Sequence, residues 1–586
     1  MKKLLALSLS LLFLASCAAP PAKPLPTQSP APRTDTSTPP GVTPLPTPTL
    51  ISAVTPAQQI ALQGTMTEES ILFSERQCSA SLEEYTQQIE DNPGSAEAYF
   101  NRGCVYLNMG RYESAIADYN QAIQIDPQFA QAYNDRGNAY AAQGDDVSAI
   151  ADYDRALQID PQFSRAYNNR GLAYHSRGDY AIAIADLERA TQVDPQNAGA
   201  YYNLGHIHYL QGDHASAIAD LDRAIQIDPQ FPPAYIQLGI VYAEQGDQQT
   251  AIANFDRAIQ LNPQDAKAYY NRGRAYYGKG DYTRAITDYD RAIQIDPQFS
   301  EAYNNRGLVY YDIGDDASAV ADYDRALQIN PKNANAYFNR GLVYERQGDY
   351  ARALADYDRA IQNDPQIAEA YLNRGNLYLN AGDYESSMAD SNRAIQIDPQ
   401  IAGAYLNRGF ALYNKGDLED AIADYDQALQ LDPQLVMAYN DRGLAFAAQG
   451  DYASAIADYD RALQIDAHFA IAYLNRGIVL TAQGEYAKAI ADFDQAIQID
   501  PRSAMAYRNR AIAHAMLGNH EQALTDYDRA IQLDPQFAAA YINRGLVYAN
   551  MGEYEKARAD LEMALTLGLP PGLEAQVRDL LAQLPP

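Results

Sequence analysis

Tryptophan is absent from the 586 residues and there are only 3 cysteines, so no disulfide-dense framework and no multi-cysteine metal cluster can be built. Positive charge is scarce. Lys and Arg total 44 against 75 Asp and Glu, and the net charge of -31 repels nucleic acid phosphates, which excludes nucleic acid as a partner. Apolar runs are short, the longest being Leu4 to Leu14, too brief to span a membrane as a stable helix. Glycine-rich phosphate loops, HExxH and GxSxG patterns are missing. His175, His206, His208 and His214 fall near one another, yet no cysteine or carboxylate at zinc-site spacing accompanies them. These absences point to a chain with no catalytic residues, no metal and no cofactor. Tyrosine, by contrast, occurs 46 times, a bias that signals one short unit copied many times.

The N-terminus reads as an address. Lys2 and Lys3 precede the apolar run, as in a secretory signal. Leu14, Ala15, Ser16 and Cys17 then resemble the bacterial lipobox. That resemblance implies a signal peptide over 1–16, cleavage before Cys17, and lipidation of Cys17 by diacylglycerol and palmitate-type acyl chains, enough for stable anchoring. It further implies a bacterial cell-envelope site facing the periplasm or the exterior. Ala18 in place of Asp favours the outer membrane if the cell has two. Residues 17–57 hold the lipidated Cys and a stalk: 12 prolines lie between Pro20 and Pro56 with little charge and no apolar periodicity, predicting an extended, unpacked spacer.

From residue 96 the chain repeats. Tyrosines at 99, 133, 167 and onward to 541 are spaced by 34 without insertion or deletion, giving 14 units. Tyr99, Gly103 and Tyr106 share one helical stripe, and Ala115, Tyr119 and Ala122 share a second. Gly110 breaks the chain between them and Asp126-Pro127 ends the unit. The pattern over 96–569 resembles the tetratricopeptide repeat. The resemblance implies an all-α fold, a right-handed superhelical solenoid of 14 helical hairpins plus capping helices, in which each hairpin buries its stripe against its neighbours. Residues 58–95 read as a degenerate N-terminal capping repeat and 570–586 as a C-terminal capping helix, with Leu573, Val577, Leu580, Leu581 and Leu584 on one face.

Arg102 and 11 counterparts stand where the family usually has Leu, and Leu204 and Leu238 restore it. An Arg that interchanges with Leu is structural, its stem packed and its guanidinium pairing with the Asp at 118 and equivalents. The acidic charge is spread evenly over the units and reads as a solvated face.

In this family the inner, concave surface is lined by positions such as Phe100 and Cys104. Here those columns hold Phe100, Tyr202, Ile236, Tyr270, Leu308, Phe338, Leu342, Leu372, Leu406, Phe410, Leu444, Leu474, Ile478, Ile512, Ile542 and Leu546. Two readings follow: a partner-binding groove for an extended or helical peptide, or side chains buried between adjacent first helices. Cys78 and Cys104 form a disulfide in an oxidising compartment or remain free thiols. The composite expectation is a membrane-anchored, non-catalytic protein-protein interaction scaffold or adaptor. The alternatives are a binder of an extracellular polymer or glycan, favoured if Tyr202, Tyr209 and Tyr270 are exposed together, or a regulatory module for a separate envelope enzyme.

Overall fold

The computed structural model describes residues 81–585. The signal segment, Cys17, the stalk, Cys78 and residues 58–80 of the expected cap lie outside them. Thirty helices and no strand are found among the described residues. None of those helices is long and apolar enough to cross a membrane. The chain divides into two units, 81–343 and 344–585, the division falling within helix Ala334–Arg346.

Each repeat is a helical hairpin, as Ala96–Asn108 and Tyr112–Ile125 illustrate. Its turn needs a left-handed residue: Gly110 has φ 68°, and the following Arg111 N–H closes onto Tyr106 C=O at 2.8 Å, satisfying a carbonyl the helix end would otherwise orphan. Asp145, at the N-cap of Asp146–Ile159, accepts from the Ser148 N–H, and this cap recurs along the chain. Between hairpins the Asp126 carboxylate accepts from the Gln128 N–H at 2.9 Å, fixing the turn in which Pro127 contributes no donor.

Within a hairpin, Gly103 lets the second helix approach: a β-carbon there would lie 2.8 Å from Tyr119 Cε1. In the N-terminal unit Ala115, Tyr119 and Ala122 then pack with Ala132 and Ala139 of the following hairpin, so the core is shared between repeats. Helix Leu82–Asp91 precedes the first full hairpin, with Ser81 and Glu84 forming a reciprocal cap and Tyr85 and Ile89 buried. In the C-terminal unit, helix Pro571–Gln583 buries Val577 and Leu580 against Ile542, Leu546 and Leu561, covering the stripe of the last hairpin.

Candidate functional site: the first-helix face

The arginine three residues after each repeat tyrosine forms a ladder. In the N-terminal unit Arg272 donates through Nε and Nη2 to both Asp288 oxygens at 2.8 and 2.6 Å, while Nη1 reaches Asp256 of the preceding repeat at 2.6 Å. Arg374 does the same in the C-terminal unit with Asp390 and, at 2.6 Å, Asp358. Each guanidinium thus ties a hairpin together and clamps it to the one before, a planar bidentate geometry that Lys would not reproduce. Leu204 and Leu238 interrupt this ladder. At the first gap His208, which occupies a tyrosine position, takes over, its Nδ1 lying 2.8 Å from Asp220. At the second the facing residue is Asn254, which turns away to donate to the Thr250 carbonyl.

The sixteen first-helix residues expected at a groove are placed as follows. Phe100, Leu308, Phe338, Leu342, Leu372, Leu406, Ile512, Ile542 and Leu546 are buried. Tyr202, Ile236, Tyr270, Phe410, Leu444, Leu474 and Ile478 are half-buried, and none of the sixteen is exposed. They therefore do not form an open apolar strip, because successive first helices close over them. Phe100 is held between the rings of Tyr119 and Phe129, with centroids at 5.9 and 4.9 Å, and Tyr270 repeats that arrangement with Tyr289 and Phe299 at 6.0 and 4.9 Å. Tyr209 is buried and Tyr202 and Tyr270 half-buried, so these three rings are not exposed together.

A polar column beside this row went unread in the sequence. Two residues after each repeat tyrosine stands Asn in 11 units, Asp at 135 and 441, and Gln at 237. In the N-terminal unit the Asn203 amide donates to Asn168 Oδ1 at 2.9 Å, and Asn305 donates to the Tyr270 hydroxyl at 2.9 Å. In the C-terminal unit Asn475 donates to Asn440 Oδ1 at 2.8 Å. In each of these three the acceptor sits 35 residues earlier, whereas Asn271, with Ile236 at that place, donates to the Lys267 carbonyl at 3.0 Å. Where Leu372 or Leu474 occupies that acceptor position, the amide nitrogens of Asn407 and Asn509 are buried without a partner. A second rule parallels the first. Tyr153 donates its hydroxyl to Asn138 at 2.8 Å, whereas the hydroxyls of Tyr119, Tyr323, Tyr425, Tyr459 and Tyr527 have no partner. In those five repeats the residue facing the tyrosine is Cys104, Leu308, Phe410, Leu444 or Ile512. In these repeats the apolar first-helix residue leaves a buried donor unsatisfied, at a cost of about 1–3 kcal/mol, whereas Tyr357, which faces Leu342, donates to Glu345 instead.

Of the two aspartates in the column Asp441 is buried and Asp135 half-buried, and Arg165 acts on Asp135 from the following repeat. Burial raises the Asp135 carboxyl to about 6 and Asp441 to about 7, opposed by the amides of Asn134 and Asn440 that donate to them. Cys104 is buried and disulfide-bonded, and the chain's other two cysteines, Cys17 and Cys78, are outside the described residues. His175 and His206 have ring centroids 6.5 Å apart, and among the described residues no three His, Cys, Asp or Glu side chains are grouped to hold a metal ion.

A ladder-linked array of identical α-hairpins that shares one core between neighbours defines a helical repeat protein. Family comparison makes the class specific. Models described as TPR repeat match 137–348 in overlapping segments, 411–450 and 516–552, and models described as tetratricopeptide repeat match 96–129, 338–402, 440–504, 504–525 and 538–567. The chain belongs to the tetratricopeptide repeat family. Comparison with curated proteins gives no match. Among solved structures, the hetero-tetramer Cut9–Hcn1 of the APC/C is 16% identical over 84% of this chain and 96% of that one, with a TM-score of 0.46. MamA is 30% identical over 29% of this chain and 92% of its own, with a TM-score of 0.26. YrrB, described as a TPR protein with an unusual peptide-binding site, is 27% identical over 31% and 95%, with a TM-score of 0.27.

Proposed function

We propose that this protein is a non-catalytic scaffold or adaptor of the bacterial cell envelope, lipid-anchored through Cys17, that binds partner proteins through an extended peptide segment laid along its first helices. The observation that carries the binding reading is in the C-terminal unit. There Phe410, Leu444, Leu474 and Ile478 are only half-buried on successive first helices. Apolar side chains of a peptide would cover the parts of these side chains that remain open to solvent. The anchoring reading rests on the Leu14-Ala15-Ser16-Cys17 sequence and the proline-rich stretch after it, which together place the repeats at a distance from a bilayer. Cys78 is the disulfide partner of Cys104 in this reading, since an envelope compartment is oxidising and Cys17 is acylated.

The binding test is affinity capture from crosslinked envelope extract with the full chain and with Phe410, Leu444 and Ile478 changed to Ser. Circular dichroism checks that the variant is folded. Partners lost with the folded variant support the surface, and equal recovery by both refutes it. The anchor is tested by fractionation after palmitate labelling. Cys17→Ala is expected to lose the label and leave the membrane fraction, and an unlabelled wild-type chain refutes lipidation.

A further inference from the structure

The hairpins between residues 164 and 261 differ from the rest of the N-terminal unit in two independent ways. The first is the missing ladder. Leu204 and Leu238 remove two consecutive arginine clamps, so Glu188 and Asp222, which stand where Asp154 and Asp256 accept from Arg170 and Arg272, have no guanidinium. The His208–Asp220 pair replaces part of one clamp within a repeat, but no guanidinium restores the charged link from each repeat to the one before, which is left to single hydrogen bonds such as Asn203 to Asn168 and Tyr209 to Glu244.

The second difference is the interior. His175 on helix Ser164–Ser176 and His206 on helix Ala198–Leu210 are buried, and none of their four ring nitrogens has a hydrogen-bond partner. The groups that face them are uncharged. Tyr180 lies against His175 at 5.4 Å, and Tyr202 and Tyr209 lie against His206 at 6.3 Å each. Gln237 approaches from the next first helix, and His214 from the second helix lies 6.0 Å from Tyr209. Beyond these rings the Tyr209 hydroxyl donates to Glu244 of the following repeat at 2.7 Å, and Arg274, two repeats on, acts on Tyr209. A proton taken up by either imidazole therefore meets no carboxylate and, once both are charged, a second cation.

We propose that residues 164–261 form an acid-labile segment, whose hairpins open on acidification before those on either side of it in the N-terminal unit. This goes beyond partner binding and does not depend on it. The sign follows from burial, which lowers His175 and takes His206 from 6.5 to about 4, with His175 adding to the shift and Gln237 opposing it. A lowered imidazole pKa contributes stability at neutral pH in full relative to a charged site, and the folded form loses ground as pH falls through the unfolded value toward 4. Between pH 7.5 and pH 5 His206 alone shifts the local opening equilibrium about thirtyfold, and His175 adds in the same direction. Asp220 and Asp222 within the segment and Asp135 in the preceding repeat work the other way, since burial raises each of these carboxyls and their protonation favours the folded form.

The test is amide hydrogen exchange read by mass spectrometry on the full chain at pH 7.5 and 5.0, corrected for the intrinsic pH dependence of exchange. Peptides from 164–261 are compared with those from 98–159 and 266–329. Opening is expected to rise about thirtyfold or more in the first set and less than about threefold in the others. The double variant His175→Leu, His206→Leu carries residues the chain itself uses at those repeat positions, as in Leu107 and Leu172, and is expected to lower the rise to the level of the flanks. A uniform rise across all three sets, or an unchanged rise in the folded double variant, overturns the proposal. Should that variant not fold, NMR of histidine-labelled wild-type protein decides: two of the 7 imidazoles remaining neutral at pH 5.5 supports the proposal, and all titrating near the ordinary value refutes it.

Discussion

Adding one methyl group to the first helix should have opposite effects in two adjacent repeats of the C-terminal unit. At Gly375 a β-carbon would meet Asp390 Cβ at 3.4 Å and Ser387 O at 3.6 Å, ordinary contacts, because the second helix carries Ser391 where other repeats carry Tyr or another large side chain. At Gly409 it would lie 2.8 and 3.0 Å from Tyr425 Cε1 and Cδ1 and 3.2 Å from the Ala421 carbonyl. Ala is favoured over Gly inside a helix by about 0.8–1 kcal/mol, so Gly375→Ala is expected to stabilise by about 0.5–1 kcal/mol. Gly409→Ala gains the same propensity but must displace a fully buried ring, an overpacking cost of about 1–3 kcal/mol, for a net loss of about 1 kcal/mol. The loss stays moderate because the chain itself carries Ala511 opposite Tyr527. Repeat arrays do not unfold in one step, so the measurement is native-state hydrogen exchange of amides within 368–431, with urea unfolding as a check. Adding Tyr425→Ser to Gly409→Ala should cancel the clash but leave the cost of the lost ring, so the coupling between the two substitutions is favourable. Equal effects at Gly375 and Gly409, or a destabilised Gly375→Ala, would refute this account of why the glycine column is kept.

Asp441→Asn should be about 3–4 kcal/mol more favourable to stability at pH 8 than at pH 4, because a carboxyl raised from 3.8 to about 7 destabilises the fold only once pH climbs through that range; urea unfolding at both pH values reads it. Arg374→Leu should cost about 3 kcal/mol, since Asp390 is left buried without its guanidinium, and adding Asp390→Asn, which copies the Leu238 and Asn254 combination, should restore at least half of it. Peptide mapping of the unreduced protein should find Cys104 closed to alkylation, with Cys78 as its partner, and Cys104→Ser should weaken the N-terminal end by about 3 kcal/mol; free alkylation of Cys104 before reduction refutes the bond.

The 34-residue period by itself determines most of the architecture. Tyr, Gly and Ala recur at helical spacing, and each has a local job: a stripe to bury, a close approach, a left-handed turn at Gly110. The Arg102–Asp118 pairing was legible too, from residue type and fixed separation alone, and it is made at 2.7 and 2.8 Å. The site was less legible. Phe100, Leu308 and Leu372 have the composition of an exposed binding strip, and only the distance between successive first helices decides that they are enclosed. The asparagine column repeats just as regularly, yet its meaning depends on which acceptor stands 35 residues earlier, in a neighbouring hairpin. A period written into the chain specifies what each residue does within its own helix. Whether a donor finds an acceptor, whether His208 covers the gap left by Leu204, and whether a histidine is buried without a counter-charge are decided between repeats, where only the packed structure brings the two sides together.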